Sequence, residues 1–174
     1  TISQYKKEII KLKDFKKKMK KKNIIIYFST CSIYDPFRKN KSYIKHKLFM
    51  ERMLKKDFKR FIIIRLPEVV GKSSNKYTLV NFLSDKIKKS DKFKLWPNAS
   101  RNLIDIKDVV HIVLKIVQSN KFTNKTINIF NPKMCSVLQI VECFERIYKK
   151  KGNYTLINNQ KRKWKIKYSK INKK

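Results

Sequence analysis

The sequence predicts an α/β fold in which helices cover the faces of a parallel β-sheet. Short runs rich in isoleucine, at residues 24–28, 61–66 and 127–130, have the composition of buried strands. Segments with helical spacing of apolar residues lie between these runs, and strands that alternate with helices form βαβ units. With 174 residues and 41% hydrophobic content, the chain can bury one core. We therefore expect one domain over 1–157 and a separate basic tail over 158–174.

The first 22 residues are predicted to form an amphipathic helix. Ile2, Tyr5 and Ile9 share one face at helical spacing, and the segment ends in lysines, which suit the negative end of a helix dipole. We interpret it as a layer helix that precedes the first strand. A helix that lies on a membrane surface or on nucleic acid is the alternative.

A polar site is predicted where the first strand ends. The apolar run 24–28 is followed directly by two small hydroxyl residues, Ser29 and Thr30, and Asp35-Pro36 then ends regular structure. Ligands of open parallel sheets bind beyond the carboxyl ends of the strands. The two hydroxyl groups therefore stand where a ligand would be held.

The next helix adds a phenol and an ammonium group to this site. We expect Ser42 to cap the helix, and Tyr43 and Lys47, four residues apart, to lie side by side on one face. A nearby positive charge favours the phenolate, which makes a tyrosine more useful as a base. Such a pair suits proton transfer at a carbonyl or carbinol carbon, with Thr30 bound to the same oxygen.

The rest of the chain continues the alternation of strands and helices. Pro67 and Gly71 end the second strand, and Ser136 is placed to cap the last helix. The remaining elements are predicted as a helix over 77–89, a short strand over 93–96, a helix over 109–117 with Asp108 near its start, and a helix from 137 to 147.

The charge is strongly positive, with a net charge of +34 and an isoelectric point near 10.2. Such a charge is typical of proteins that bind nucleic acid or an anionic membrane. However, Lys, Ile and Asn are abundant while Ala occurs once and Gly twice, which indicates drift of the coding sequence toward A and T. We favour drift, and we likewise interpret the tail with Trp164 and Tyr168 among its lysines as a disordered end rather than a base-stacking surface.

No metal site or membrane span is predicted. Cys31, Cys135 and Cys143 have neither paired spacing nor histidine neighbours of the zinc type, which favours a reduced, cytoplasmic setting. His46 and His111 are isolated from each other in sequence, and we expect each to face solvent or the core. The apolar runs are too short for a transmembrane helix, and the basic start lacks the apolar stretch of a signal peptide.

Five segments together resemble a known family. After the segment 24–47 come F-I-I-I-R-L-P-E-V-V-G at 61–71, R-N-L-I-D-I-K-D-V-V at 101–110, I-N-I-F-N-P at 127–132 and S-V-L-Q-I-V at 136–141. In this order they resemble the C-terminal two-thirds of the extended short-chain dehydrogenases/reductases, the NAD-dependent epimerase/dehydratase family that acts on nucleotide sugars. The resemblance implies a partial Rossmann-like sheet and a small C-terminal substrate-binding part.

The resemblance also assigns roles to single residues. Thr30 matches the catalytic Ser/Thr, Tyr43 the acid/base, and Lys47 the residue that holds the nicotinamide ribose and lowers the pKa of the tyrosine. Arg101 matches an arginine on the substrate diphosphate, and its alternative is an ion pair with Asp105 or Asp108. The implied site is therefore catalytic residues Thr30, Tyr43 and Lys47, cofactor-binding residues Ser29, Tyr43, Lys47 and Pro67, and substrate-binding residues Thr30 and Arg101.

The chain also departs from the family pattern. Its two glycines, Gly71 and Gly152, cannot form the glycine-rich turn that holds the cofactor pyrophosphate. We therefore expect NAD or NADP to bind only with a missing N-terminal half, cropped or lost, and the chain alone to be inactive. Cys31-Ser32 stand where dehydratases have Asp-Glu, which favours an epimerase (an isomerase) or a reductase (an oxidoreductase).

The expected partners are a nucleotide sugar, a second copy of the chain and, weakly and without specificity, nucleic acid. No membrane partner is expected. Two other functions stay open from the sequence: a basic nucleic-acid-binding protein, and a non-catalytic remnant that binds a sugar nucleotide or a partner protein.

Overall fold

The computed structural model describes residues 2–36, 41–73, 75–157 and 166. The chain divides into two compact units, and among the described residues the first consists of 2–67, 110–129 and 166, and the second of 68–109 and 130–157. No helix in the described part of the chain is long and apolar enough to cross a membrane.

One to three strands follow each helix along the chain, and one turn of 3-10 helix, Cys31–Tyr34, comes directly after the first strand. The strands are β1 Ile25–Thr30, β2 Phe61–Leu66, β3 Glu68–Val70, β4 Phe93–Leu95, β5 Ser100–Arg101, β6 Leu103–Asp105, β7 Lys125–Asn128, β8 Cys135–Ser136 and β9 Tyr154–Leu156. The α-helices are α1 Ile2–Lys18, α2 Ser42–Asp57, α3 Leu79–Lys89, α4 Ile106–Gln118 and α5 Val137–Tyr148.

A parallel sheet of order β1-β2-β7 forms the centre of the first unit. Thr30 at the end of β1 lies opposite Leu66, and Arg65 of β2 lies opposite Asn128 of β7. Because the strands are parallel, their carboxyl ends meet at one edge, where Pro67 also follows β2. The predicted α/β class, a parallel sheet with flanking helices, is confirmed.

Helices α1 and α2 cover one face of this sheet. Leu12 of α1, Met50 and Leu54 of α2, and the strand residues Phe61 and Ile63 form one buried cluster. Positions 61 and 63 share a face because side chains alternate along a strand. Burying an aliphatic side chain of this size contributes about 1.5–3 kcal/mol, so this cluster fixes α2 on β1 and β2.

The second unit is built from α3, α5 and three short strand pairs. β3 pairs with β6 and β4 with β9 in parallel, and β5 pairs with β8 antiparallel. Leu83 and Ile87 of α3 pack with Val141 of α5 in its core. Ser136 caps α5 as predicted, in a capping box with Gln139.

Several details differ from the sequence prediction. The short strands β3, β5, β6, β8 and β9 were not predicted, and α1 ends at Lys18 rather than at residue 22. Ser42 is the first residue of α2 rather than its cap; Lys41 takes the cap position with extended backbone and no side-chain bond. Helix α4 begins at Ile106 rather than at 109, since Asp105 Oδ1 accepts a hydrogen bond from Lys107 N at 2.7 Å and supports an earlier start. The third buried strand is shifted to Lys125–Asn128. The predicted disordered tail lies, apart from Ile166, outside the described residues.

Candidate active site

Thr30 ends β1 and begins the turn of 3-10 helix. The residue is buried, and its Oγ1 accepts a hydrogen bond from Ser32 N at 3.1 Å, so it serves as the cap of that turn. This bond uses an acceptor position of the hydroxyl and leaves its proton for donation. The local turn thus holds Thr30 at the carboxyl edge of the sheet, in an orientation fixed by the backbone.

Lys47 is held by two groups from other elements. Its Nζ donates to the phenol oxygen of Tyr27 on β1 at 2.9 Å and to Glu8 Oε1 on α1 at 3.0 Å. Tyr27 in turn donates to Glu8 Oε1 at 3.0 Å, and His46 Nε2 lies 2.7 Å from Glu8 Oε2. We call Glu8, Tyr27, His46 and Lys47 the Glu8 cluster. It joins α1, β1 and α2 beside the predicted catalytic residues.

The charges in the Glu8 cluster are set by its hydrogen bonds. Burial by itself would raise the pKa of Glu8, but the bonds from His46, Lys47 and Tyr27 outweigh it, and the pKa lies below its usual value. Burial and the Glu8 charge both raise the pKa of the Tyr27 phenol. At neutral pH, therefore, Glu8 is a carboxylate and Tyr27 is a neutral donor.

Tyr43 lies on the first turn of α2, one turn before Lys47. Its side chain is 44% exposed, so a ligand can reach the phenol. The charge of an ionised Tyr43 is among the causes that raise the pKa of Tyr27. The described site thus brings Tyr43 and Lys47 to β1, the strand that ends in Thr30.

A second buried group of polar residues lies at the same edge of the sheet. Glu51 of α2 accepts hydrogen bonds from Ser29 Oγ at 2.6 Å, Arg65 Nε at 2.9 Å and Arg65 Nη2 at 2.5 Å. The phenol oxygen of Tyr34 accepts from Arg65 Nη1 and Asn128 Nδ2, each at 2.9 Å. We call these five residues the Glu51 network. It connects α2 with all three strands of the sheet.

The Glu51 network is a scaffold for the site. Burial would lower the pKa of Arg65, but the bonds and charge of Glu51 more than offset this, and the pKa is raised. The phenol oxygen of Tyr34, four residues after Thr30, accepts its two hydrogen bonds from Arg65 and Asn128 of this network. Cys31 donates its thiol to Arg65 O at 3.3 Å, and burial raises its pKa to about 12, so it is not a nucleophile at neutral pH.

The sequence prediction overlooked both Glu8 and Glu51. Glu51 follows Lys47 by four residues and Tyr43 by eight, which places it on the same helical face. An acid on the apolar face of a lysine-rich helix is a signal that could have identified it. Glu8 carried no comparable signal, since only the packing of α1 on α2 brings it to Lys47.

Arg101 lies in the second unit, on β5. Its Nη1 donates to Ser100 O at 2.9 Å, and its Nε lies 3.9 Å from Glu68 Oε2. The acid beside Arg101 is thus Glu68 of β3. The sequence analysis named only a substrate diphosphate, or Asp105 or Asp108, as its partner. Of the predicted site residues, Arg101 belongs to the second unit and the others to the first.

The predicted cofactor contacts lie on β1, on α2 and directly after β2. The Tyr43 phenol and the Lys47 ammonium are donors that suit ribose hydroxyls, and Pro67 directly follows β2 at the same edge. The Ser29 hydroxyl is bound to Glu51, so its contact with a cofactor stays a prediction. Within the described residues, no group of three or more His, Cys, Asp or Glu side chains is placed to hold a metal ion.

Comparisons with known proteins agree with this architecture. The sequence model of the NAD dependent epimerase/dehydratase family matches residues 17–129. No protein of curated function matches the chain significantly. The solved structures that resemble it include UDP-glucuronic acid 4-epimerase from Bacillus cereus in complex with UDP-glucuronic acid and NAD, at 19% identity and a TM-score of 0.68. UDP-glucose 4-epimerase from Thermotoga maritima, with UDP-glucose, is 18% identical with a TM-score of 0.67.

The chain is much shorter than these proteins. The match to the B. cereus enzyme covers 78% of this chain and 49% of that one, and the match to the T. maritima enzyme covers 92% and 59%. At these identities the structural likeness establishes the fold. The family match extends over more than half of the sequence and includes β1, α2 and β2. The chain therefore belongs to the NAD dependent epimerase/dehydratase family.

Proposed function

We propose that this chain is the catalytic and substrate-binding part of an NAD-dependent enzyme that acts on a nucleotide sugar as an epimerase or a reductase. One observation carries the proposal: α2 places Tyr43 and Lys47 beside β1, the strand that ends in Thr30. The family match and the UDP-sugar epimerases of similar fold support the substrate class.

In the proposed reaction, Tyr43 takes the proton from a sugar hydroxyl and Thr30 hydrogen-bonds the same oxygen. Lys47 favours the phenolate form of Tyr43 through its charge and binds the nicotinamide ribose. When bound, NAD would supply hydride transfer at the sugar carbon. Tyr43 and Thr30 would hold the sugar oxygen still, so that its carbon stays in position for that transfer.

The cofactor would be held by this chain at its nicotinamide end only. Ser29, Tyr43, Lys47 and Pro67 are the proposed contacts, whereas the glycine-rich turn for the pyrophosphate has no counterpart in these 174 residues. We infer that the 174 residues alone do not turn over substrate, and that a glycine-rich half joined ahead of them restores binding. Residues of that glycine-rich half would determine whether NAD or NADP binds. We propose NAD.

Arg101 is the proposed contact for the substrate diphosphate. A guanidinium group presents five donors in a planar fork and binds phosphate oxygens in pairs. The Nε–Oε2 separation of 3.9 Å from Glu68 is longer than a charge-assisted hydrogen bond, so a diphosphate would compete with a weak ion pair. We further propose a homodimer in the cytoplasm, with nucleic acid as a weak, non-specific partner.

The substrate role is tested by titrating Arg101→Ala with a UDP-sugar in calorimetry, with Arg60→Ala as control. Arg60 is in the first unit, where its Nη1 donates to Lys22 O, and its loss removes the same charge. Arg101→Ala should weaken binding by about tenfold or more with an unchanged circular dichroism spectrum, as expected for loss of a charged hydrogen bond. Equal affinities of the two variants, or unfolding of Arg101→Ala alone, would remove Arg101 from the substrate site.

A further inference from the structure

Glu8 connects α1 to the candidate active site through three donors. Its Oε1 accepts from Lys47 Nζ and from the Tyr27 phenol, both at 3.0 Å, and its Oε2 lies 2.7 Å from His46 Nε2. Tyr5 stacks on the other side of His46, with ring centroids 4.2 Å apart. The carboxylate is thus oriented from several sides at once, and its position relative to Lys47 is fixed.

The contact with Glu8 changes what Lys47 can do. The Lys47 side chain is only 15% exposed, so water screens its charge poorly, and a carboxylate at 3.0 Å offsets much of it. A tyrosine one helical turn away feels the sum of the two charges rather than the ammonium alone. Glu51, one further turn along α2, adds a second negative charge, which Arg65 balances.

We propose that Glu8 is a positioning residue of the candidate active site: it holds the Lys47 ammonium at Tyr27 and offsets its charge, so that the phenol of Tyr43 keeps its proton more tightly than it would beside Lys47 alone. The titratable and charged groups around Lys47 are Glu8 of α1, Tyr27 of β1, and Tyr43, His46 and Glu51 of α2. The inference rests on the proposed function in one respect only, the choice of Tyr43 as acid/base.

The alternative is that Glu8 merely clamps α1 onto α2. The ionisation of Tyr43 separates the two, because a clamp does not change the electrostatic potential at that phenol when the fold is kept. The chain is labelled with tyrosine that carries ¹³C at Cζ, and the chemical shift of Tyr43, assigned from Tyr43→Phe, is followed by NMR from pH 7 to 12. This titration needs neither cofactor nor sugar.

Glu8→Gln is compared with Asp14→Asn, an exposed acid of the same helix whose loss changes the net charge equally. Removal of a negative charge near Tyr43 favours the phenolate, so Glu8→Gln should lower the midpoint of Tyr43 by about half a pH unit or more. Asp14→Asn should leave it within about 0.2 unit. Glu8→Asp, which keeps the charge, should recover most of the shift.

Equal midpoints in folded Glu8→Gln and Asp14→Asn would overturn the proposal. If Glu8→Gln does not fold, Glu8→Met decides: a lowered midpoint for Tyr43 supports the electrostatic role of Glu8, and an unchanged one overturns it. Because the proposed function is measured by turnover, a failure of this titration leaves that proposal standing, and inactivity of the enzyme leaves the titration valid.

Discussion

Replacing Glu51 by Gln should destabilise the first unit severely. The Glu51 side chain is 3% exposed and that of Arg65 is 15% exposed, so the pair is largely removed from water. Glu51 accepts three hydrogen bonds, two of them from Arg65. Glutamine has nearly the same shape and keeps one acceptor oxygen, but it leaves the guanidinium charge without a counter-ion.

The magnitude follows from this burial. Breaking a buried ion pair by removal of one partner costs about 3–5 kcal/mol, and because one acceptor remains we expect about 3 kcal/mol in the free energy of unfolding. The control is Asp91→Asn. It removes an ion pair with Lys86 whose side chains are 46% and 30% exposed, and such a pair is worth about 1 kcal/mol at most.

The assay is urea unfolding at neutral pH, followed by far-UV circular dichroism. With a denaturant slope of about 1–3 kcal/mol per molar urea, the midpoint of Glu51→Gln should fall by about 1 M or more, while that of Asp91→Asn should change far less. A loss below about 1 kcal/mol in Glu51→Gln, or equal losses in the two variants, would show that the Glu51 network does not hold α2 on the sheet.

Three further predictions follow from packing and charge. Ile63→Ala, at a fully buried position, should cost about 2–5 kcal/mol by urea unfolding, whereas Ile10→Ala at an exposed position should cost under about 0.5 kcal/mol; similar losses would contradict the core. Because the folded pKa of Glu8 lies below its usual 4.5, its contribution is present above pH 4.5 and is lost as the pH falls through the folded value. The protection of the Leu12 amide against hydrogen exchange, corrected for the intrinsic rate, should therefore fall in that window in the wild type but not in Glu8→Gln. Binding to DNA or RNA should be weak, insensitive to sequence and steeply reduced by salt; tight binding at physiological salt would favour the nucleic-acid function.

The sequence was sufficient to predict the three strands of the parallel sheet and the five helices, but not the short strands of the second unit. The isoleucine-rich run of β2 is buried on both faces, as at positions 62–64, whereas β1 is only partly buried and its Phe28 is 47% exposed. The start of α2 was less predictable, because serine caps a helix only when the backbone geometry at that residue is extended, and here Lys41 has that geometry. Local patterns therefore predicted the longer elements, whereas the short strands and the ends of the elements depended on contacts that no local pattern contains.

The same distinction applies to the candidate site. The places of Thr30 at the end of a strand and of Tyr43 and Lys47 one turn apart on the next helix could be predicted because these spacings are local, while their catalytic roles stay a prediction. The partner of Lys47 could not, because Glu8 lies 39 residues away and reaches it only through the packing of α1 on α2. Glu68 beside Arg101 was hidden for the same reason, since the two residues come from strands separated along the chain by α3.

The catalytic role of Tyr43 is the central claim, and one measurement tests it most directly. A fusion protein with a glycine-rich dinucleotide half ahead of these residues is assayed for turnover of a UDP-sugar with NAD, with and without Tyr43→Phe. Phenylalanine removes only the phenol oxygen, so we expect kcat to fall by about 100-fold or more while the substrate affinity changes little. Full activity of the Tyr43→Phe fusion protein would contradict the assignment.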